Sequence, residues 1–307
     1  STSPPLLIAS VRGAHQELQP NSTGAETSNS GTRIASIDAD GFSLANTSVT
    51  SLNASGNNYV AWGWDAGDGD PVSNTDGSIT STVKANDATG VSIVTYSANG
   101  STGTIGHGLS SAPELIIVKK RNAAERWTVY HQDTSNAYIY LNETFAAETA
   151  NANLRFGNNS SVVAPTSSVF TVGNSNDVNG SGGTYVAYCF SEVSGVSKID
   201  SYTGTGSAGN AITGLGFRPG FLMIKETSST GNWAIVDGTR SPFGEVTGNY
   251  LYVNLSQAEG GGSAPLQFDS DGFTINSGDS DTNSSGQTYV YMAFKGSYSD
   301  HVSPLND

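Results

Sequence analysis

Cysteine is all but missing from this chain: Cys189 is the only one in 307 residues. An intrachain disulfide framework is therefore excluded, and stability has to come from packing. Cys189 sits among large apolar neighbours in a strand-like run, so it reads as a small buried hydrophobe and not as a nucleophile. Positive charge is scarce too. Thirteen Lys and Arg stand against 27 Asp and Glu, which leaves a formal net charge of −14 and a pI near 4.5. The sequence shows no basic stripe that could neutralise phosphates, so a nucleic-acid partner is not expected. An anionic membrane surface is disfavoured by the same sign of charge. No apolar run reaches the length of a membrane span, and no signal-peptide pattern opens the chain. Ser1 stands where an initiator methionine would, which marks a processed chain or a fragment.

What the chain has in quantity is glycine (37) and aromatic residues: 13 Tyr, 11 Phe and 4 Trp. Ser, Thr, Asn and Gly fill the polar positions. Large core groups in regularly placed runs, separated by turn formers, exclude a disordered polymer and favour closely spaced strands. The only helix-compatible stretches, 123–126 and 143–152, are short. The expected class is all-β.

One phrase organises the rest. Asn179-Gly180-Ser181-Gly182 feeds Tyr185-Val186-Ala187-Tyr188-Cys189-Phe190. A first copy runs from Asn53 to Gly56 and then Tyr59-Val60-Ala61-Trp62-Gly63-Trp64. A third runs from Asn283 to Gly286 and then Tyr289-Val290-Tyr291-Met292-Ala293-Phe294. With period two, Val60/Trp62/Trp64, Val186/Tyr188/Phe190 and Val290/Met292/Phe294 share one face. The other face carries Tyr and small residues. Apolar character on both faces predicts a central strand in a two-layer β structure. The small positions predict close approach of another sheet or chain. Tyr96 and Tyr202, Pro113 and Pro219, and Trp127 and Trp233 all stand 106 residues apart. So many anchors at one offset indicate an internal duplication of domain-sized units.

The chain divides accordingly into a partial first repeat (1–64), a turn-rich acidic connector (65–89), a second repeat (90–194), a third (195–298) and a tail (299–307). Each full repeat has seven or eight short strands, which predicts tandem β-sandwiches of jelly-roll type with little helix. The first repeat opens with a strand at 6–12. It lacks the half running from Gly-Val-Ser to Pro-x-x-Ile-Val-Lys, so residues 6–64 are not expected to fold alone.

Three phrases carry a resemblance: the stretches 90–121, 184–207 and 216–240 continued by 287–296. Together they resemble a family of repeated domains of unknown function found in virion proteins of tailed, often marine, bacteriophages. The resemblance implies a particle component such as a tail fibre, spike or capsid-surface appendage contributing to host attachment. It implies no catalytic residues. It also implies location on an extracellular particle, contact with other virion proteins or a host surface glycan, and homo-oligomers, with a trimer favoured.

Candidate chemistry is sparse. Asp279, Asp281 and Asn283 have the alternating oxygen spacing that opens a calcium loop, but the glycine and distant glutamate of an EF-hand are absent. A polar hairpin explains the run as well. Asp65/Asp68/Asp70 forms a similar acidic turn. The pairs Asp38/Asp40 and Asp269/Asp271 precede Gly-Phe and read as turn formers rather than as the paired acids of a glycosidase. His15, His107, His131 and His301 lack metal-ligand spacing and read as solvated or partly packed. No nucleophile elbow introduces a serine. Gly204-Thr205-Gly206 is a turn without the helix a phosphate loop needs, so no cofactor is expected. Trp127 and Trp233 hold matching places and read as core in preference to sugar platforms. Three functions compete: a non-enzymatic virion structural or adhesion protein, a glycan-degrading tailspike-type enzyme, and a secreted bacterial adhesin or filament subunit.

Overall fold

The computed structural model describes residues 3–29, 32–45, 52–134, 136–241, 245–246, 248–260 and 265–296. The expected tail and His301 lie outside the described residues. The fold is all-β. Among the described residues the only helical turns are 3₁₀ turns at Ser10–Arg12, Gln132–Thr134 and Ala152–Leu154. Strands and turns dominate because β-branched and aromatic residues alternate in short runs that glycine and asparagine interrupt.

The first unit holds two small hairpins, β1 (Gln16–Glu17) with β2 (Thr27–Ser28) and β3 (Ile34–Asp38) with β4 (Gly41–Leu44). The second contributes β5 (Val72–Asn74), β6 (Ser81–Asn86), β7 (Val91–Ser97), β8 (Gly103–Gly106), β9 (Leu115–Lys120), β10 (Thr128–His131), β11 (Ile139–Tyr140), β12 (Val169–Val172) and β13 (Thr184–Phe190). The third contributes β14 (Ser197–Thr203), β15 (Asn210–Thr213), β16 (Pro219–Glu226), β17 (Trp233–Asp237), β18 (Leu251–Tyr252), β19 (Leu266–Asp269), β20 (Gly272–Ile275) and β21 (Thr288–Lys295).

The main sheet of the second unit has the order β11-β10-β9-β13-β7-β6-β5, and that of the third β18-β17-β16-β21-β14. Strand for strand these agree from β11/β18 through to β7/β14, so the 106-residue offset is written into the topology. A smaller outer sheet, β12-β8 in one unit and β15-β20-β19 in the other, completes each sandwich.

Three expectations are corrected. The connector 65–89 is not merely a linker: β5 and β6 extend the second unit's sheet by antiparallel pairing of β6 with β7. The opening run 6–12 is not a strand; it makes one bridge, Leu7 to Leu18, and then a 3₁₀ turn. Finally, Tyr59–Trp64 is extended but belongs to no sheet. Its counterparts β13 and β21 are each flanked by two strands, β7 and β9 or β14 and β16. Among the described residues no strand flanks Tyr59–Trp64 on either side.

The core has three parts. Tyr185, Ala187 and Cys189 face the second unit's outer sheet with Ile105, Phe170 and Val172. Tyr289, Tyr291 and Ala293 do the same in the third unit with Phe268, Phe273 and Ile275. In these two units the small residues thus accommodate the unit's own second layer. The opposite faces, Val186/Tyr188/Phe190 and Val290/Met292 with Phe294, meet in one central core with Leu18, Trp62 and Trp64.

Candidate functional site: the repeat junctions and the open first unit

Inside the second and third units the polar signature residues serve the turn before the central strand. Asn179 and Asn283 are fully buried. The Asn179 amide donates to the carbonyls of Gly173 and Ser101, and its oxygen accepts from the Asn99 N–H. Asn283 repeats this with Ser277, Ser207 and the Thr205 N–H. Tyr185 and Tyr289 staple the same turn, each hydroxyl donating to a carbonyl nine residues back, Asn176 or Ser280, at 2.7 and 2.8 Å. Each ring stacks on a partner from the neighbouring strand, Tyr96 at 5.3 Å and Tyr202 at 5.1 Å.

Asp279, Asp281 and Asn283, weighed as a calcium loop against a polar hairpin, fall into this scheme. Asp281 accepts from the Tyr252 hydroxyl at 2.6 Å and the Asn232 N–H at 2.7 Å, just as Asp177 accepts from Tyr140. Asp279 accepts from the Asp281 N–H. Their oxygens are committed to closing the turn, and no group of three or more metal-binding side chains occurs among the described residues. The acidic pairs serve turns as well: Asp271 accepts from the N–H groups of Gly214 and Gly216, and Asp269 from the Thr274 hydroxyl. Asp65 accepts from the Gly67 N–H and from Asn86.

Two of the histidines read as solvated or partly packed are buried outright. His107 is fully buried; its Nδ1 accepts from the Leu109 N–H and its Nε2 lies 3.0 Å from the Thr166 carbonyl oxygen. His131 is buried, its Nδ1 accepts from the Asp133 N–H, and burial pulls its pKa down to about 4. Both are neutral parts of the core. His15 is half-buried against the Ala35 carbonyl. Cys189 is fully buried and burial pushes its thiol pKa up, which leaves no thiolate near neutral pH. Trp127 and Trp233 are core residues.

The side chains that sequence reasoning missed lie where one unit meets the next. Thr23 of the first unit receives the Lys119 ammonium at 3.1 Å and the Glu125 N–H at 3.0 Å on its carbonyl. Thr144 of the second receives Lys225 and the Gly231 N–H in the same way. The Trp127 indole donates to the Ser22 carbonyl, and that of Trp233 to the Tyr140 carbonyl. The Glu26 N–H donates to the Arg121 carbonyl, and the Ala147 N–H to that of Thr227. These paired bonds set Glu26 level with Ala147. Lys119 and Lys225 are fully buried with only carbonyls for partners, and desolvation lowers both pKa values to about 8. Lys119 and Lys225 also stand 106 residues apart in the sequence, but nothing local shows that each crosses to the preceding unit.

The third unit returns to the first. The Trp62 indole donates to Asp237 at 3.2 Å, Arg240 lies over its ring at 5.7 Å, and the Asn21 amide donates to Ser256 at 2.7 Å. The contacts therefore run head to tail and close a ring. At its centre the last aromatic of each signature meets the other two: Trp64–Phe190 at 6.4 Å, Trp64–Phe294 at 6.3 Å and Phe190–Phe294 at 6.2 Å, all edge-on. Three near-equal separations between equivalent residues describe a pseudo-threefold arrangement within one chain.

No curated protein and no solved structure matches the chain. A single family model spans residues 1–297, across all three units of the ring. The chain belongs to the family described as a domain of unknown function, DUF7483.

Proposed function

We propose that this protein is a non-enzymatic structural component of a virion, part of a bacteriophage tail fibre, spike or capsid-surface appendage that contributes to host attachment. The observation that supports this reading most directly is the use of the repeated polar groups. Asn179/Asn283, Asp177/Asp281, Tyr185/Tyr289 and Lys119/Lys225 are all engaged in holding turns and junctions together. Such an arrangement suits a rigid module better than a reactive cleft. The family resemblance in the sequence supplies the setting. Partners on this reading are copies of the same chain, as a trimer, together with other virion proteins and a host surface glycan. No nucleic acid, membrane or cofactor is needed.

The test is direct. Mass spectrometry and immunogold labelling of density-purified particles should find the chain on the particle, and static light scattering of the purified protein should give three times the monomer mass. Absence from purified particles would overturn the assignment. A stable monomer at high concentration would remove the trimer. Host-polysaccharide depolymerisation by the pure protein, lost on substitution of an acidic pair, would replace the reading with the enzymatic one.

A further inference from the structure

The second unit carries a cleft at one corner. β10 ends at His131, the 3₁₀ turn Gln132–Thr134 follows, and the long crossing from β11 to β12 folds back beside them. Phe156 of that crossing meets the Tyr130 ring edge-on at 5.7 Å. The crossing is held in shape from within. The Val163 N–H donates to the Phe156 carbonyl at 2.9 Å, Gly157 bridges Val162, and Arg155 pairs with Asp177 at 2.8 Å. Between the turn and the crossing lies a space of about 250 Å³. That is less than the ~300–1,000 Å³ of pockets for drug-sized ligands, and it suits one small ring.

The lining is mixed. Ala137, Val162 and Ala164 are apolar, and Tyr130, Gln132 and Asn136 bring polar groups. Tyr130 is only 8% exposed, yet its hydroxyl has no hydrogen-bond partner among the described residues. A buried hydroxyl left unpaired costs about 1–3 kcal/mol, so whatever fills the cleft gains by meeting it. Gln132 donates its amide to the Ile199 carbonyl at 2.7 Å, which fixes the side chain and leaves its oxygen to accept. Asn136 stands in the left-handed conformation, φ 63°, with its amide uncommitted. Burial, with the carboxylates of Glu114 and Asp133, pushes the Tyr130 pKa up, so the phenol stays a neutral donor. No Lys or Arg lines the cleft. In the third unit Val236 and Gly238 hold the places of Tyr130 and Gln132, and Asp237 is taken up by Trp62 and Arg240. An aromatic hydroxyl and an amide at this corner are therefore not requirements of the repeat.

We propose that this cleft binds one neutral pyranose residue of a glycan. The Tyr130 hydroxyl and the Gln132 and Asn136 amides match sugar hydroxyls, which both donate and accept. Val162 and Ala164 offer an apolar wall to the C–H face of the ring. The charge near the cleft is negative, from Glu114 and Asp133, so an acidic sugar or a phosphate is repelled. The site gives the host-glycan contact of the proposed function a place on the chain, and it rests on that reading only for the source of the sugar.

The experiment titrates the intact, isotope-labelled chain with the methyl glycosides of glucose, galactose, mannose and N-acetylglucosamine, and with methyl glucuronide as the acidic control. Amide NMR shifts are the readout. At least one neutral glycoside should give saturable shifts confined to residues 130–137 and 156–164, with a Kd of about 1–10 mM. The glucuronide should bind at least about tenfold more weakly. Tyr130→Phe removes only the unpartnered hydroxyl and should weaken binding about tenfold without changing the thermal melt. Ala164→Trp, at an exposed position, should fill the mouth and abolish binding with the melt unchanged. No saturable shift from any neutral glycoside, shifts that map to other segments, equal binding of the glucuronide, or binding that both variants leave intact would each overturn the proposal. Sugar binding by a chain absent from purified particles would uphold the cleft and remove the particle assignment. A chain present on particles that binds none of the neutral sugars would remove the cleft alone.

Discussion

Lys119 and Lys225 set the pH response. Their folded pKa values near 8 lie below the 10.5 of an exposed lysine. Below pH 8 both folded and unfolded chains carry the charge, and the folded chain bears the cost of burying it. Between pH 8 and 10.5 the unfolded chain binds more protons, so stability rises with pH. Each lysine contributes on the order of 3 kcal/mol to that rise. Above about pH 10 the sign reverses, because burial raises tyrosine pKa values in the fold, that of Tyr185 to about 12. Urea midpoints should therefore increase from pH 7 to a maximum near pH 10, and Lys225→Met should remove about half of the increase. A flat profile between pH 8 and 10 would show that the buried amines are not the cause. Asn283 offers a second check. Asn283→Ala leaves the carbonyls of Ser277 and Ser207 and the Thr205 N–H without their partner, and should cost about 2–4 kcal/mol in equilibrium unfolding.

At the scale of elements, the same sequence phrase has two fates. In the second and third units it becomes a central strand with every flanking position paired. In the first it stays extended, with Trp62 and Trp64 packed inward while Tyr59, Ala61 and Gly63 face water. Period-two alternation sorted its residues into the right two faces, though one of them, expected to be covered, is exposed. It could not supply the neighbours that turn an extended segment into a strand. The consequence for mutation is asymmetric. Trp64→Ala removes a ring that meets Phe190, Phe221 and Phe294, and should destabilise by about 3–5 kcal/mol. Tyr59→Ser, only five residues away, should cost less than about 1 kcal/mol. Thermal unfolding of the two variants measures the difference, and equal losses would contradict the packing described for Trp64.

Taken whole, the molecule is a ring whose central core draws on all three units: Leu18 and Trp62 from the first, Trp127 and Phe190 from the second, Met223 and Met292 from the third. Head-to-tail junctions of the same chemistry join them. Shared burial couples the units, so calorimetry of the intact chain should show one cooperative transition. Two separated transitions would mean that the units fold independently. Residues 6–64 on their own bury little apolar surface without the other units and should show no cooperative melt. A sharp β-sheet transition from that piece would refute its dependence on the ring.

The all-β class, the duplication at a 106-residue offset and the sorting of each signature strand's residues into two faces were legible in the sequence. Each depends on local rules: the two-residue period of a strand, the turn chemistry of glycine and asparagine, and repetition itself. The burial of Cys189 followed from the same alternation, and that of Trp127 and Trp233 from their recurrence at matching places. Ring closure, the recruitment of β5 and β6, the burial of His107 and His131 and the junction roles of Lys119, Lys225, Glu26 and Trp62 did not follow. Those depend on contacts between residues far apart in the chain, such as Trp62 with Asp237 and Asn21 with Ser256. A side chain's partner across a junction leaves no trace in its own neighbourhood of sequence, because the pairing free energy belongs to the juxtaposition of two surfaces and exists only once both have folded.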